Sequence, residues 1–237
     1  MAKQKPLFIY DCDGTLQTLV ARAWAMAKKE NKTDLSLAEF RAQHPGETAM
    51  LPGMANVVRY TDSLGDNVLV SDGNPGEEGC PELQELRVEN RFKGWKYKGR
   101  EVKWGQSPDH MSKVERSVAE ELLKNFLPSK IVVIGDTLDD YILALHIAHF
   151  VNSIELPDKT FQRPQVIAFI KRGVPTESCE NAQVPVFAVD SGQEMQQLIQ
   201  NLIEEPNSKT KSLSARLKAA QQDSQKLHLP RKSHSGK

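Results

Sequence analysis

The chain has 237 residues, 39% of them hydrophobic, and its 31 basic and 31 acidic side chains balance to a formal net charge of zero. That is enough apolar material for one sizeable core with at most a small accessory element. The longest apolar runs, LFIY and IVVIG, fall far short of the roughly 20 residues a membrane helix requires. No signal-peptide hydrophobic region follows the first lysines, so a soluble protein without a membrane span is expected. The three cysteines, Cys12, Cys80 and Cys179, are odd in number and widely spaced, with no C-x-x-C pair for zinc or redox work. A reducing compartment follows, hence a cytoplasmic location. The zero balance hides an asymmetry: residues 206–237 hold eight basic side chains against one acid, Asp223, while residues 1–205 carry the compensating excess of acid.

In chain order, LFIYDCDGTL comes first. Four apolar residues end abruptly in two aspartates, Asp11 and Asp13, and a glycine, as a short buried strand delivering carboxylates to a turn would. The following segment shows helical spacing of Leu16, Leu19, Val20, Ala23, Trp24 and Ala27 along one face. Ser36 and Glu39 form a capping-box pattern for a second short helix. After Pro45-Gly46 and Pro52-Gly53, a helix over about residues 54–64 leads through Gly65 into the strand NVLVS, which ends at Ser71. A serine at a strand end is, on its own, more often a turn residue or a helix cap.

A helix is predicted from Pro81, with proline in its first turn. The stretch RFKGWKYKGREVKWG then has period-2 character and two internal glycines, which predicts a hairpin or an edge strand with a turn. Its six basic residues interleave with Trp95, Tyr97 and Trp104. That composition suits a single-strand nucleic-acid platform, although a sheet edge protected by lysines is the commoner arrangement and the preferred one. Ser107-Pro108 opens a helix with Met111, Val114, Val118 and Leu122 on one face and Lys113 near its first turn.

The strand IVVI runs into GDTLDD, residues 135–140. Asp136, Asp139 and Asp140 would repel one another unless a cation or hydrogen bonds offset them, so a divalent metal is the natural partner. Acids favouring a helix dipole could account for Asp139 and Asp140 but account poorly for Asp136. A further helix, the strands QVIAFIKRG and VPVFAVD, and a last helix capped by Ser191 and Glu194 complete the alternation. Strands alternating with helices predict an α/β, Rossmann-like three-layer fold with a central parallel sheet. Ligands on such sheets bind beyond the carboxyl ends of the strands, where Asp11, Ser71 and Asp136 are all expected.

Four stretches in this order resemble the motifs of the haloacid dehalogenase (HAD) superfamily of magnesium-dependent phosphohydrolases: D-x-D-G-T-L at Asp11, the strand closed by Ser71, a lysine one helix before the next strand, and the acidic G-D-x-x-x-D at Asp136. The resemblance covers about residues 5–204. It implies Asp11 as nucleophile and Asp13 as general acid and base, with Ser71, the backbone amide of Asp72 and Lys113 holding phosphate. Lys103 is a rival for the lysine. It also implies Mg2+ held by Asp11, Asp136 and the backbone carbonyl of Asp13, with Asp139 and Asp140 in its outer shell.

Aspartate at position 13 points to phosphatase or phosphomutase chemistry rather than to ion-pump ATPases or dehalogenases. A cysteine phosphatase, whose Cys is followed six residues later by Arg, does not fit: that count reaches Thr18, Leu86 and Pro185. Cys12 is therefore expected to be a packing residue. A P-loop is excluded too, since the only Gly-Lys pair is Gly236-Lys237.

The interval between Asp11 and Ser71 leaves room for a small helical cap or insert over about residues 16–50, and the interval from Ser71 to Lys113 for no folded second cap. By the same resemblance, a HAD-like site with little or no cap implies a macromolecular phosphoester, with phosphotyrosine on a phosphoprotein as first expectation. A nucleic-acid end, a small metabolite or an inactive scaffold are the alternatives. The domain is expected to span residues 1–205. The basic tail, 206–237, is expected to be disordered; it could also be an address resembling the translocation signals of secreted bacterial effectors.

Overall fold

The computed structural model describes residues 4–18, 20–44, 49–71, 80–102, 111–124, 128–155, 162–174 and 184–204. Two compact units divide the chain, Met1–Met195 and Gln196–Lys237. The fold and the site belong to the first; the described part of the second continues one helix to Glu204. The expected tail lies outside the described residues.

Five parallel strands form the central sheet: β1 (Leu7–Tyr10), β2 (Asp66–Leu69), β5 (Lys130–Gly135), β6 (Gln165–Lys171) and β7 (Val186–Val189), in the order β2-β1-β5-β6-β7. β1 reads as an unbroken apolar run because both of its faces are covered, the pattern of a parallel sheet inside an α/β layer structure. Leu7 and Ile9 join Ile131, Val133, Val166, Ala168 and Ile170 in a core on one face. Two helices cover it, α5 (Arg116–Leu123) through Val118 and Leu122, and α6 (Leu138–Ser153) through Tyr141, Ala144 and Ile147. Each such aliphatic side chain, fully buried, contributes on the order of 1.5–3 kcal/mol.

On the opposite face, Tyr10 reaches α3 (Met54–Leu64), where its hydroxyl lies 2.7 Å from Thr61 Oγ1. The α/β, Rossmann-like arrangement expected from the alternating pattern is thus the one observed. No helix among the described residues is long and apolar enough to cross a membrane.

Between β1 and α3 the chain inserts α1 (Val20–Lys29) and α2 (Leu37–Gln43), which fall within the expected insert and pack on one another, with Trp24 Nε1 donating to the Leu35 carbonyl at 2.9 Å. The α2 capping box is present: Ser36 N–H donates to Glu39 Oε2 at 2.8 Å and Glu39 N–H to Ser36 Oγ at 3.3 Å. The first of these helices starts later than its apolar spacing predicts. Leu16 ends a turn and Gln17 bridges Met50, because Leu51 N–H donates to the Leu16 carbonyl and Thr18 N–H to that of Ala49, a long-range pairing that replaces a helical ladder.

The helix α4 (Pro81–Val88) precedes a two-stranded antiparallel hairpin, β3 (Trp95–Tyr97) and β4 (Arg100–Val102). The helix expected from Ser107-Pro108 is a second difference. Residues 103–110 lie outside the described residues, and α5 begins only at Arg116, after a turn in which Glu115 N–H donates to the Ser112 carbonyl. Lys113 occupies that turn. The last helix, α7 (Gly192–Glu204), starts where Glu194 N–H donates to Ser191 Oγ at 3.2 Å.

Candidate active site

Asp11 follows the last residue of β1 and stays in the ladder, its N–H donating to the Ile134 carbonyl at 2.9 Å. Asp136 follows the last residue of β5, the neighbouring strand. From β1 the chain moves outward to β2, and from β5 outward to β6 and β7, so the gap between β1 and β5 is the topological switch point. Both carboxylates emerge there.

The chain then turns sharply. The Cys12 carbonyl accepts from the N–H groups of Thr15, Leu16 and Gln17 at 3.3, 2.7 and 3.2 Å. Gly14 has φ +85°, and a Cβ at that position would overlap the Asp136 carboxylate, so the turn requires glycine for its conformation and for the close approach.

Oxygen atoms of Asp11, Asp136 and Asp140 all lie within 4.8 Å of one another, and the three residues are buried. Lys113 Nζ, also buried, donates to Asp11 Oδ1 at 3.0 Å and to Asp140 Oδ1 at 2.8 Å. Asp140 Oδ2 accepts from the N–H groups of Asp136 and Thr137 at 3.1 and 3.0 Å and from Thr137 Oγ1 at 2.8 Å. Asp140 therefore caps α6 and holds the Asp136 backbone while it anchors Lys113. The Thr15 hydroxyl lies between Asp11 Oδ2, at 3.2 Å, and Asp136 Oδ1, at 3.4 Å.

Burial, and then the Asp140 charge, push the Asp11 carboxyl up to about 7 against the pull of Lys113. Burial acts downward on the Lys113 ammonium, but Asp11 and Asp140 outweigh it and leave the group raised. Three buried carboxylates gathered around one buried ammonium concentrate negative charge that a divalent cation would offset. The residues present thus fit a hard, oxygen-liganded cation. Asp11, Asp136 and Asp140 each offer such a cation a carboxylate oxygen, and Asp140 is the one also held by the Asp136 and Thr137 N–H groups.

No protein-family model matches the chain, and no curated protein does either. Solved structures do. A HAD family hydrolase from Salmonella enterica subsp. enterica serovar Typhi superposes over 86% of this chain and 73% of its own, with 12% identity and a TM-score of 0.47. A haloacid dehalogenase-like hydrolase from Streptococcus pneumoniae matches 84% of this chain and 100% of its own, at 16% identity and a TM-score of 0.49. A putative haloacid dehalogenase-like hydrolase from Burkholderia xenovorans LB400 covers 84% of this chain and 98% of its own, at 14% identity and a TM-score of 0.43. These neighbours are all described as HAD hydrolases.

Of the remaining expected site residues, Ser71 follows Val70, whose N–H donates to the Tyr10 carbonyl, and is buried beside the first strand's end. Asp13 is half-buried, with Oδ1 accepting from Gln17 Nε2 at 2.8 Å. Asp139, expected beside Asp140, stands exposed on the first turn of α6, so of that pair only Asp140 enters the cluster. Asp72 and Lys103 lie outside the described residues. Two residues were given no role by the sequence, Thr15 and Gln17. Thr15 sat inside the motif, whereas Gln17 offers no signal beyond being a polar residue among apolar ones.

The basic, aromatic stretch behaves as core and edge. Trp95 and Tyr97 are buried, the indole donating to the Leu69 carbonyl at 3.2 Å and the phenol to Glu115 Oε2 at 2.7 Å. Their faces are spent on packing, and the charged residues the hairpin exposes are Lys96, Lys98, Arg100 and Glu101, while Trp104 lies outside the described residues. Beside Asp136 a cleft of about 220 Å³ is lined by Thr15, Leu51, Met54, Lys171, Val189 and Met195, among others.

Proposed function

We propose that the chain is a HAD-superfamily phosphomonoester hydrolase that works through an aspartyl-phosphate on Asp11. The observation that carries this reading is the buried cluster of Asp11, Asp136 and Asp140 around Lys113 at the switch point of a parallel sheet.

The physical problem is bringing a carboxylate to a phosphate dianion. Each pair of like unit charges at 4 Å costs about 4 kcal/mol at an effective dielectric near 20. Lys113, fixed by two carboxylates, presents one positive charge at the nucleophile. Asp11, Asp136 and the Asp13 carbonyl would hold Mg2+, which would supply two more positive charges to offset the phosphoryl oxygens. The Asp11 carboxylate attacks phosphorus and the ester oxygen leaves, protonated by Asp13. Asp13 then takes a proton from water as that water attacks the aspartyl-phosphate, and Asp11 is released. Ser71, buried beside the end of β1, holds a phosphoryl oxygen throughout.

For the substrate we propose a phosphoprotein, phosphotyrosine first. The cleft beside Asp136 supports it: an apolar cavity of about 150 Å³ suffices for benzene, and this one is larger, with Leu51, Met54, Val189 and Met195 among its walls. The burial of Trp95 and Tyr97 counts against a nucleic-acid end, while Trp104 of the same stretch lies outside the described residues.

Phosphate release from p-nitrophenyl phosphate, with and without magnesium, tests the reading. Turnover that requires the metal and disappears in Asp11→Asn supports it, after which phosphotyrosine peptides are compared with phosphoserine peptides and DNA ends. Turnover surviving chelation or the substitution sinks it.

A further inference from the structure

Gln17 is buried, although glutamine is seldom so, and the turn fixes its backbone: its N–H donates to the Cys12 carbonyl at 3.2 Å and its carbonyl accepts from Gly14 N–H at 2.8 Å. The side-chain amide is fixed as well. Oε1 accepts from Cys80 N–H at 2.9 Å, and Nε2 donates to Asp13 Oδ1 at 2.8 Å. A backbone N–H can only donate, so the oxygen end must face Cys80 and the NH2 end must face Asp13; the orientation follows from the network. We infer that Gln17 is a positioning residue for Asp13, holding Oδ1 as an acceptor so that Oδ2 is the atom that carries and transfers the proton. The inference rests on the phosphohydrolase reading, in which Asp13 is the acid and base.

The geometry has a chemical consequence. A carboxyl whose Oδ1 accepts an amide N–H keeps its own proton on Oδ2. As the bond between phosphorus and the ester oxygen breaks, the Oδ2 proton passes to the departing oxygen; in the second half-reaction Oδ2 takes one proton from the attacking water while the Asp11 carboxylate leaves with the bonding electrons. Both transfers use one atom, the carboxyl oxygen that Gln17 does not bind, and Gln17 is itself tied to Cys80 at the head of α4.

The test separates proton transfer from folding. Gln17→Met keeps the length and removes both hydrogen bonds; Gln17→Glu keeps the acceptor for Cys80 and removes the donor to Asp13. A leaving group that needs protonation, in an alkyl phosphate, is compared with p-nitrophenolate, which needs little. General acid catalysis contributes about 10²- to 10⁴-fold, and we expect both variants to lose about 10- to 100-fold of that in kcat/KM for the alkyl phosphate.

For p-nitrophenyl phosphate, kcat/KM should stay within about threefold while kcat and KM fall together, because only the water step then suffers. In an Asp13→Asn background the added effect of Gln17→Met should vanish, the non-additivity expected of residues acting as a unit. A uniform loss on both substrates, or an undiminished effect in the Asp13→Asn background, overturns the inference while leaving the phosphohydrolase reading intact. Wild-type turnover that survives Asp11→Asn overturns the two together. If Gln17→Met fails to fold, Gln17→Glu carries the comparison.

Discussion

Lys113 Nζ lies 3.0 Å from Asp11 Oδ1 across 102 positions of sequence, and both side chains are buried to about the same degree. The same ammonium is 2.8 Å from Asp140, so one cation serves two carboxylates, one just past the end of β1 and the other in the first turn of α6. Removing one partner of a buried ion pair costs about 3–5 kcal/mol, because the other charge is left uncompensated. We expect Lys113→Met to lower the urea midpoint accordingly at pH 7 without metal, and to cost at least about 100-fold in kcat/KM. The stability penalty should shrink near pH 5, where Asp11, held up to about 7, is protonated. An unchanged midpoint at both pH values would refute this account.

The Asp11 carboxyl also fixes a sign for pH. Its folded value, about 7, lies above the ordinary 3.8. Between these the folded chain binds the proton more tightly than the unfolded one, so this group's contribution is fully present below about pH 4 and is lost as pH rises toward 7. A divalent cation substitutes for that proton. Magnesium at 100 times its Kd adds about 2.7 kcal/mol, about 5–10 °C of Tm for a domain of this size. The shift should be larger at pH 7.5 than at pH 5.5, vanish with chelator, and be lost in Asp136→Asn. Equal shifts at both pH values would remove Asp11 from the metal's ligands.

Much of this architecture is written in local pattern. LFIY and IVVI are four-residue apolar runs ending in acid, and a strand buried on both faces needs no alternation, so β1 and β5 and the residues just past them could be placed from sequence. The helix start at α5 could not. Apolar spacing extends back through Met111 and Val114, yet Lys113 is drawn to Asp11 and Asp140, and the chain turns there instead of coiling.

Gln17 was illegible for a similar reason. Its partners, Asp13 and the Cys80 amide, are chosen by a turn and by a helix end 63 residues away. Asp139 and Asp140 show the converse. Asp140 occupies the last position of the acidic motif and so stands out from its neighbour in sequence, and helical geometry points it at the cluster and Asp139 at solvent.

Cys12 lies between the two aspartates proposed as nucleophile and acid–base and is nonetheless inert by position. Its thiol is fully buried, and burial, then the charges of Asp13 and Asp11, raise it well above its usual range. Thiolate chemistry requires the opposite. Native protein treated with iodoacetamide at pH 7.5 should show no label on the peptide holding Cys12. Cys12→Ala should keep kcat within about threefold and cost about 1 kcal/mol. Inactivation that tracks labelling of Cys12 would reopen a cysteine mechanism.

Gly14 and Gly173 form a matched pair for separating backbone strain from site disruption. Both have left-handed backbones, φ +85° and +91°. A Cβ at Gly173 meets nothing within 4 Å, whereas one at Gly14 overlaps the Asp136 carboxylate. Alanine in that conformation costs about 1–2 kcal/mol, so Gly173→Ala should lose that much stability and retain its kcat. Gly14→Ala should lose at least as much and, by displacing Asp136, weaken magnesium binding by at least about tenfold, since moving one ligand by a fraction of an ångström disturbs a geometry that magnesium tolerates poorly. Calorimetric titration with magnesium alone reads this without a substrate. Equal magnesium affinity in the two variants would mean that Asp136 lies outside the metal's ligand set.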